Sequence, residues 1–215
     1  MWCINEMMVS MALSSPSSFV LASNNKGKVR EILPMFNAAG FNLITPADLG
    51  LEIAPKETGK TFEENSCIKA WETYKFLKDL GHEASGVVAD DSGFCVDALG
   101  GLPGVDSALY LGENVPKEVR NASIISQMET KADRTARFVC VVTCFICGKK
   151  EVVRGEVFGE VAHYAKGDFG FGYDPIFYLP EYKKTMAELP LEEKNKLSAR
   201  GKAFELLLKK IREMR

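Results

Sequence analysis

Histidine is almost missing from this chain: His82 and His163 are the only two in 215 residues. A zinc centre would therefore have to rest on cysteine, and only one C-x-x-C spacing exists, Cys144-Phe145-Ile146-Cys147. Its surroundings from Phe138 onward read as one β-branched strand, in which alternation sets Cys144 and Cys147 on opposite faces. The six cysteines (Cys3, Cys67, Cys95, Cys140, Cys144 and Cys147) are accordingly expected to be core thiols in a reducing compartment. An excess of positive charge is also lacking. The formal net charge of −2 argues against a nucleic-acid polymer as partner, though not against a free nucleotide. No apolar run is long enough to span a bilayer. Residues 1–18 hold no Lys or Arg, so they lack the basic start of a secretory signal and the arginines of a transit peptide. A loosely ordered leader over 1–18 and a cytoplasmic setting are expected. There is no internal repeat and no linker, which leaves residues 19–215 as one domain.

What is present is an alternation of strand and helix signals. Phe19-Val20-Leu21-Ala22 is a buried-strand run, followed by the polar turn Ser23-Asn24-Asn25-Lys26-Gly27-Lys28. Val29, Ile32, Leu33 and Phe36 then recur at helical spacing, with Pro34 expected to distort or shorten that helix. Asn42 to Pro46 reads as a short strand. Thr61-Phe62-Glu63-Glu64 is a capping box opening a long helix to about Leu80. Gly86 to Asp90 reads as a strand ending in the turn Ala89-Asp90-Asp91-Ser92-Gly93, and Pro116 to Glu129 as a helix. Arg137–Cys147 and Glu151–Phe158 form a hairpin around Gly148-Lys149-Lys150. A glycine-rich loop and a final helix from about Glu192 to Met214 complete an α/β pattern with a mixed, twisted β-sheet flanked by helices.

Open α/β sheets carry ligands at strand ends, which singles out three polar segments. Ser23 to Lys28 offers amides and ammonium groups suited to phosphate, although its single glycine does not match the glycine-rich phosphate loop; a surface turn with solvated lysines accounts for it as well. Asp90-Asp91 offers adjacent carboxylates of the kind magnesium takes together with substrate phosphates. An Asx-type turn explains Asp90 to Gly93 equally. Glu57, in the loop Pro55 to Gly59, is the candidate third acid; Glu63 and Glu64 compete, with Glu64 better placed as the partner of Thr61. Phe169-Gly170-Phe171-Gly172-Tyr173-Asp174-Pro175 could stack on a flat ligand, or could be a loop with packed aromatics. Lys194 and Arg200 lie six apart on the last helix and would face one cleft only obliquely; solvated helix charges are the plainer reading.

In this order the segments resemble the inosine triphosphate pyrophosphatase family, the house-cleaning nucleoside triphosphate pyrophosphatases. The motifs are Ser23-Asn24-Asn25-x-x-Lys28-x-x-Glu31, Glu57-Thr58-Gly59-x-Thr61-Phe62-x-Glu64-Asn65, Ala89 to Gly93, Ala98-Leu99-Gly100-Gly101-x-Pro103-Gly104, Phe169 to Pro175, Thr185-x-Ala187-Glu188-Leu189, and Glu193-Lys194-Asn195-x-x-Ser198-x-Arg200. The match runs from about residue 19 to residue 210. The resemblance implies hydrolysis of the α–β phosphoanhydride of inosine, deoxyinosine and xanthosine triphosphates to the monophosphate and pyrophosphate. It also implies an elongated two-lobed fold with the nucleotide in the cleft between lobes, Mg2+ dependence and a homodimer. Ser23, Asn24, Asn25 and Lys28 would hold the triphosphate, with Ser92 against the phosphates. Glu57 and Asp91 would carry Mg2+, and Asp91 would orient and deprotonate the attacking water. Phe171, Gly172, Tyr173 and Asp174 would frame base and sugar, with Lys194, Ser198 and Arg200 completing recognition.

Two positions depart from the family pattern. Ser198-Ala199-Arg200 stands where the family usually has Ser-His-Arg, and Ser107-Ala108-Leu109-Tyr110 where it tends towards Ser-Ala-Arg-Tyr. The first puts the preference for a 6-keto base in question; the second removes a cation. Two rival readings follow: a nucleotide-binding sensor without turnover, and a pyrophosphatase of the same fold acting on pyrimidine or modified nucleotides.

Overall fold

Every residue of Ser18–Leu21 is buried, as a strand needs to be when it is paired on both sides and covered on both faces. In a computed structural model that describes residues 18–82 and 84–214, this segment is β1. It runs parallel to β2 (Asn42–Ile44), with Phe19 opposite Leu43, and parallel to β3 (Gly86–Val96), with Val20 opposite Val87. The sheet continues through β4 (Thr135–Ile146), β5 (Lys149–Val161), β6 (Phe177–Leu179) and β7 (Lys184–Thr185), in the order β2-β1-β3-β4-β5-β6-β7. The last two pairings are antiparallel, so the seven-stranded sheet is mixed. Most of the leader expected over residues 1–18 lies outside the described residues, as does Cys3; Ser18 already opens β1.

The chain divides into two compact units. One comprises the described residues up to Asp91 together with Val141–Val153 and the chain from Ala203 onward; the other comprises Ser92–Cys140 and Arg154–Lys202. In the first unit, α1 (Lys26–Ala38) and the start of the last helix cover one sheet face through an edge-to-face cluster of Phe19, Phe36, Phe41 and Phe204. Glycine at 86 belongs to this packing, because a Cβ there would stand 2.6 Å from the Phe19 ring. The other face is covered by α2 (Phe62–Asp79), with Ala70 and Leu77 against Val20 and Val87. In the second unit Phe94, Phe138, Tyr173 and Phe177 pack ring against ring, flanked by α3 (Lys117–Gln127).

Local signals decide several elements as expected. Thr61 Oγ1 accepts from the Glu64 amide at 3.1 Å and Glu64 Oε2 accepts from the Thr61 amide at 3.2 Å, the reciprocal pair of a capping box. Pro34 does not end α1, which runs on to Ala38.

Three expectations are corrected. The hairpin turns at Cys147-Gly148 rather than at Gly148 to Lys150, so Cys147 is exposed with φ 49° outside the strand while Cys144 stays in the core. Burial pushes the Cys144 thiol up to about 12, which makes it inert. Asp90 to Gly93 is not a turn: all four residues lie inside β3, which is eleven residues long. The final helix is two helices, α4 (Leu191–Leu197) and α5 (Ala199–Glu213), separated where Ser198 takes an extended conformation of φ −67°, ψ 154°. Among the described residues no helix is long and apolar enough to cross a membrane.

Candidate active site

In the first unit the site begins at the end of β1, where Asn25 caps α1. Its Oδ1 accepts from the amides of Gly27 at 2.9 Å and Lys28 at 3.2 Å. Ser23 Oγ accepts from the Asn25 amide at 3.2 Å. The turn is therefore held by its own polar side chains, and the first turn of α1 contains no acid to oppose an anion. Asn24 behaves differently: its Nδ2 donates to Ile53 O at 3.2 Å, across 29 residues of chain.

Two acids inside a buried strand need compensating cations, and two lysines supply them. Lys28 Nζ stands 3.1 Å from Asp90 Oδ2 and donates to the Asp90 carbonyl at 3.2 Å. Lys69 Nζ, on α2, bonds Asp91 Oδ1 at 2.8 Å and Glu57 Oε2 at 2.8 Å. This is the physical reason Asp90-Asp91 can continue a strand instead of making a turn. The pairing also separates the two acids: Asp90 is tied to Lys28 at the start of α1, and Asp91 shares an ammonium with Glu57.

Lys69 was not among the residues singled out from sequence. The signal was there: Phe62, Ser66, Lys69, Thr73 and Leu77 form the buried stripe of α2, and a lysine in such a stripe needs an acid. Burial alone would lower its pKa, but the charges of Asp91 and Asp90 and the bonds to Asp91 and Glu57 outweigh it and hold the ammonium firmly protonated. For Asp91, burial dominates over the Lys69 and Lys28 charges and pushes the carboxyl up to about 6. For Glu57, which is half exposed, burial is outweighed by the bond and charge of Lys69, so its pKa falls. One ammonium serves two carboxylates, and the more exposed one ionises first.

Asp91 Oδ2 is buried and has no hydrogen-bond partner among the described residues. An orphaned carboxylate oxygen beside a second carboxylate is a donor set for a hard cation. No group of three or more His, Cys, Asp or Glu side chains is placed to hold a metal among the described residues. The arrangement thus fits Mg2+, which takes one or two carboxylates and completes its shell with water and phosphate oxygens, and does not fit a structural zinc site.

The second unit carries a different cluster. Asp174 Oδ2 accepts from the Phe171 amide at 2.6 Å and from Lys194 Nζ at 2.5 Å. Lys194 Nζ lies 5.0 Å from the centre of the Phe171 ring and Arg200 Cζ 5.2 Å from it. Arg200 Nη2 also donates to Ser92 Oγ at 2.8 Å. Lys194 and Arg200 meet on one ring because the break at Ser198 ends one helix and starts another. Ser198 Oγ accepts from the Gly201 amide at 3.0 Å, and glycine is required at 201 because a Cβ there would run into the Asn195 backbone.

Two other residues of the glycine-rich loop serve the scaffold. Tyr173 is buried, stacks on Phe94 at 5.3 Å and donates its hydroxyl to Ser107 O at 2.8 Å. Gly172 O is held by Asn121 Nδ2 at 3.2 Å, a contact that no sequence motif marked. Ala199 is buried, and Leu109 is exposed.

The chain matches the model of the Ham1 family over residues 19–210. It is 43% identical over 192 residues to a Clostridium perfringens protein named dITP/XTP pyrophosphatase, which covers 88% of this chain and 94% of that one. A Bacillus subtilis protein of the same name is 40% identical over 193 residues, with 88% and 94% covered. Among solved structures, the Staphylococcus aureus Ham1 protein superposes with a TM-score of 0.80 at 38% identity, covering 92% of this chain and 100% of that one. A HAM1 protein from Coxiella burnetii gives a TM-score of 0.80 at 35% identity, with 91% and 98% covered. The stretch is the one over which the motifs line up, and on these matches the chain belongs to the Ham1 family.

Proposed function

We propose that this protein hydrolyses deaminated purine nucleoside triphosphates, the ITP, dITP and XTP class, to the monophosphate and pyrophosphate, and so clears them from the nucleotide pool. The relatives named dITP/XTP pyrophosphatase support the reaction and the substrate class. One observation carries the chemistry: Glu57 and Asp91 share the Lys69 ammonium, and the second Asp91 oxygen is buried with no hydrogen-bond partner among the described residues.

Glu57 and Asp91 are the residues that would hold Mg2+, and the bound ion would neutralise phosphate oxygens and polarise phosphorus. Lys28, fixed by Asp90, and the acid-free N-terminal turn of α1 hold and orient the triphosphate. Asp91 positions the attacking water and accepts its proton. The water oxygen bonds to the α-phosphorus, the bond to the α–β bridging oxygen breaks, and pyrophosphate leaves. Phe171 offers a stacking face to the base, with Lys194, Asp174 and Arg200 as polar partners at its edge. Ser92 and Ser198 fix Arg200 and the α5 start respectively. The reading extends to a homodimer, as the family resemblance implies, and to a cytoplasmic setting, as the lack of targeting signals in the sequence suggests.

The experiment is pyrophosphate release with Mg2+ across inosine, xanthosine, adenosine, guanosine and cytidine triphosphates. Release confined to the first two is expected. Release from cytidine triphosphate at a comparable rate would move the substrate class, and nucleotide binding without release would favour a sensor.

A further inference from the structure

We infer that Asn24 is a positioning residue for Glu57, acting through its bond to Ile53 rather than on the nucleotide. The inference rests on the proposed role of Glu57 as a cation ligand. Glu57 sits in a segment with no regular structure, Leu51 to Gly59. At one end the Leu51 amide bonds Pro46 O at 2.9 Å; at the other the Gly59 amide bonds Asn65 Oδ1 at 2.8 Å. Between them, among the described residues, the segment Glu52–Thr58 is tied at two points: Asn24 Nδ2 to Ile53 O at 3.2 Å, and Lys69 Nζ to Glu57 Oε2 at 2.8 Å.

The Lys69 tie is not independent of the cation, because it holds the very carboxylate that a cation would engage. Asn24 is thus the tie that holds the backbone of this arm in place whether or not Glu57 is bound to anything. Its anchor point, Ile53, stands four residues before Glu57, close enough to limit where that carboxylate searches. The space for displacement is also present: the wall formed by Leu51, Glu52, Ile53 and Ala54 borders a groove of about 970 Å³ floored by Val29 and Leu33 of α1. With the tie removed the arm gains room on that side, and the Glu57 carboxylate is no longer pre-placed beside Asp91. Asn24 lies next to Ser23 and Asn25 in sequence, but its donor is committed to the arm.

The test compares Asn24→Ala with Glu57→Gln in the full chain, using inosine triphosphate and varying Mg2+. Glu57→Gln is expected to raise the Mg2+ concentration for half-maximal rate strongly. Asn24→Ala is expected to raise it about two- to tenfold, the worth of one hydrogen bond, with nucleotide KM at saturating Mg2+ and the thermal midpoint unchanged. A readout without turnover is tryptic cleavage after Lys56 in the metal-free protein, which should quicken in Asn24→Ala. If Glu57→Gln shifts the Mg2+ requirement and Asn24→Ala does not, the positioning role is wrong while the cation reading stands. If Asn24→Ala instead raises KM at saturating Mg2+, the residue acts on the nucleotide and the inference is overturned. If Glu57→Gln leaves the Mg2+ requirement unmoved, the cation reading itself fails and takes the inference with it.

Discussion

Lys69 and Asp91 face each other at 2.8 Å across the boundary of a helix and a strand, and Asp91 still has one buried oxygen without a hydrogen-bond partner among the described residues. A lysine that balances a carboxylate without saturating it keeps the acid in place while leaving a ligand position open. The arrangement has consequences for pH, for mutation and for the neighbouring acid.

Because burial raises the Asp91 carboxyl to about 6, a cation has to displace its proton at acidic pH. Apparent Mg2+ affinity should fall about tenfold per pH unit below that value and level off above it. Calorimetric titration of Mg2+ at pH 5, 6, 7 and 8 checks this; a flat profile would place the cation elsewhere.

Asp91→Asn keeps the shape and an acceptor for Lys69, so the fold should persist. Turnover should drop by about 10²–10⁴-fold, the usual worth of a positioned base, and further if the cation is also lost. Pyrophosphate release alongside a thermal melt measures both, and a fully active mutant would remove Asp91 from the mechanism.

Lys28→Ala removes one cationic partner of a carboxylate that is 0% exposed at its side chain. Loss of triphosphate affinity should therefore come with a loss of stability of about 3 kcal/mol at neutral pH, read by urea denaturation. A mutant with raised KM and unaltered stability would mean that Asp90 finds another cation.

Gly201→Ala sits in the first turn of α5, where glycine to alanine ordinarily favours a helix by up to about 1 kcal/mol. Here the sign should reverse, to a cost of about 1–3 kcal/mol, because the added methyl meets the Asn195 backbone. Denaturation midpoints decide the sign.

Ala199→His restores the Ser-His-Arg pattern that the family resemblance implies beside Arg200. Selectivity for inosine over adenosine triphosphate should rise, at some cost in stability, since Ala199 is only 3% exposed. An unchanged selectivity ratio would mean that the departure is compensated by other groups near the base.

What could be read from sequence was what is local. The Thr61–Glu64 cap and the α1 stripe of Val29, Ile32, Leu33 and Phe36 depend on residues within one or two turns; the cap formed as read, and of the stripe Ile32 and Phe36 are buried while Val29 and Leu33 are only half-buried. The status of Asp90 and Asp91 depends on Lys28 and Lys69, which lie 62 and 22 residues away, so the segment looked like a turn until those cations were in view. The split of the last helix escaped for a similar reason. The break at Ser198 comes with a close approach of Gly201 to the Asn195 backbone, a contact that a lone glycine in a helical pattern does not announce. Motif membership does not reveal how a side chain is held, as the bond from the Tyr173 hydroxyl to Ser107 O, 66 residues away, illustrates.

The joint at Ser198 makes the placement of Arg200 a matter of chain length as much as of residue identity. Adding or deleting one residue after Ser198 would turn every following α5 side chain by about 100° about the helix axis and leave Lys194 where it is. Insertion and deletion, which change no chemical group around Phe171, would then re-aim one of its two cations. With Phe171 facing the base as proposed, such a slip of register would alter substrate range without replacing any residue around the ring.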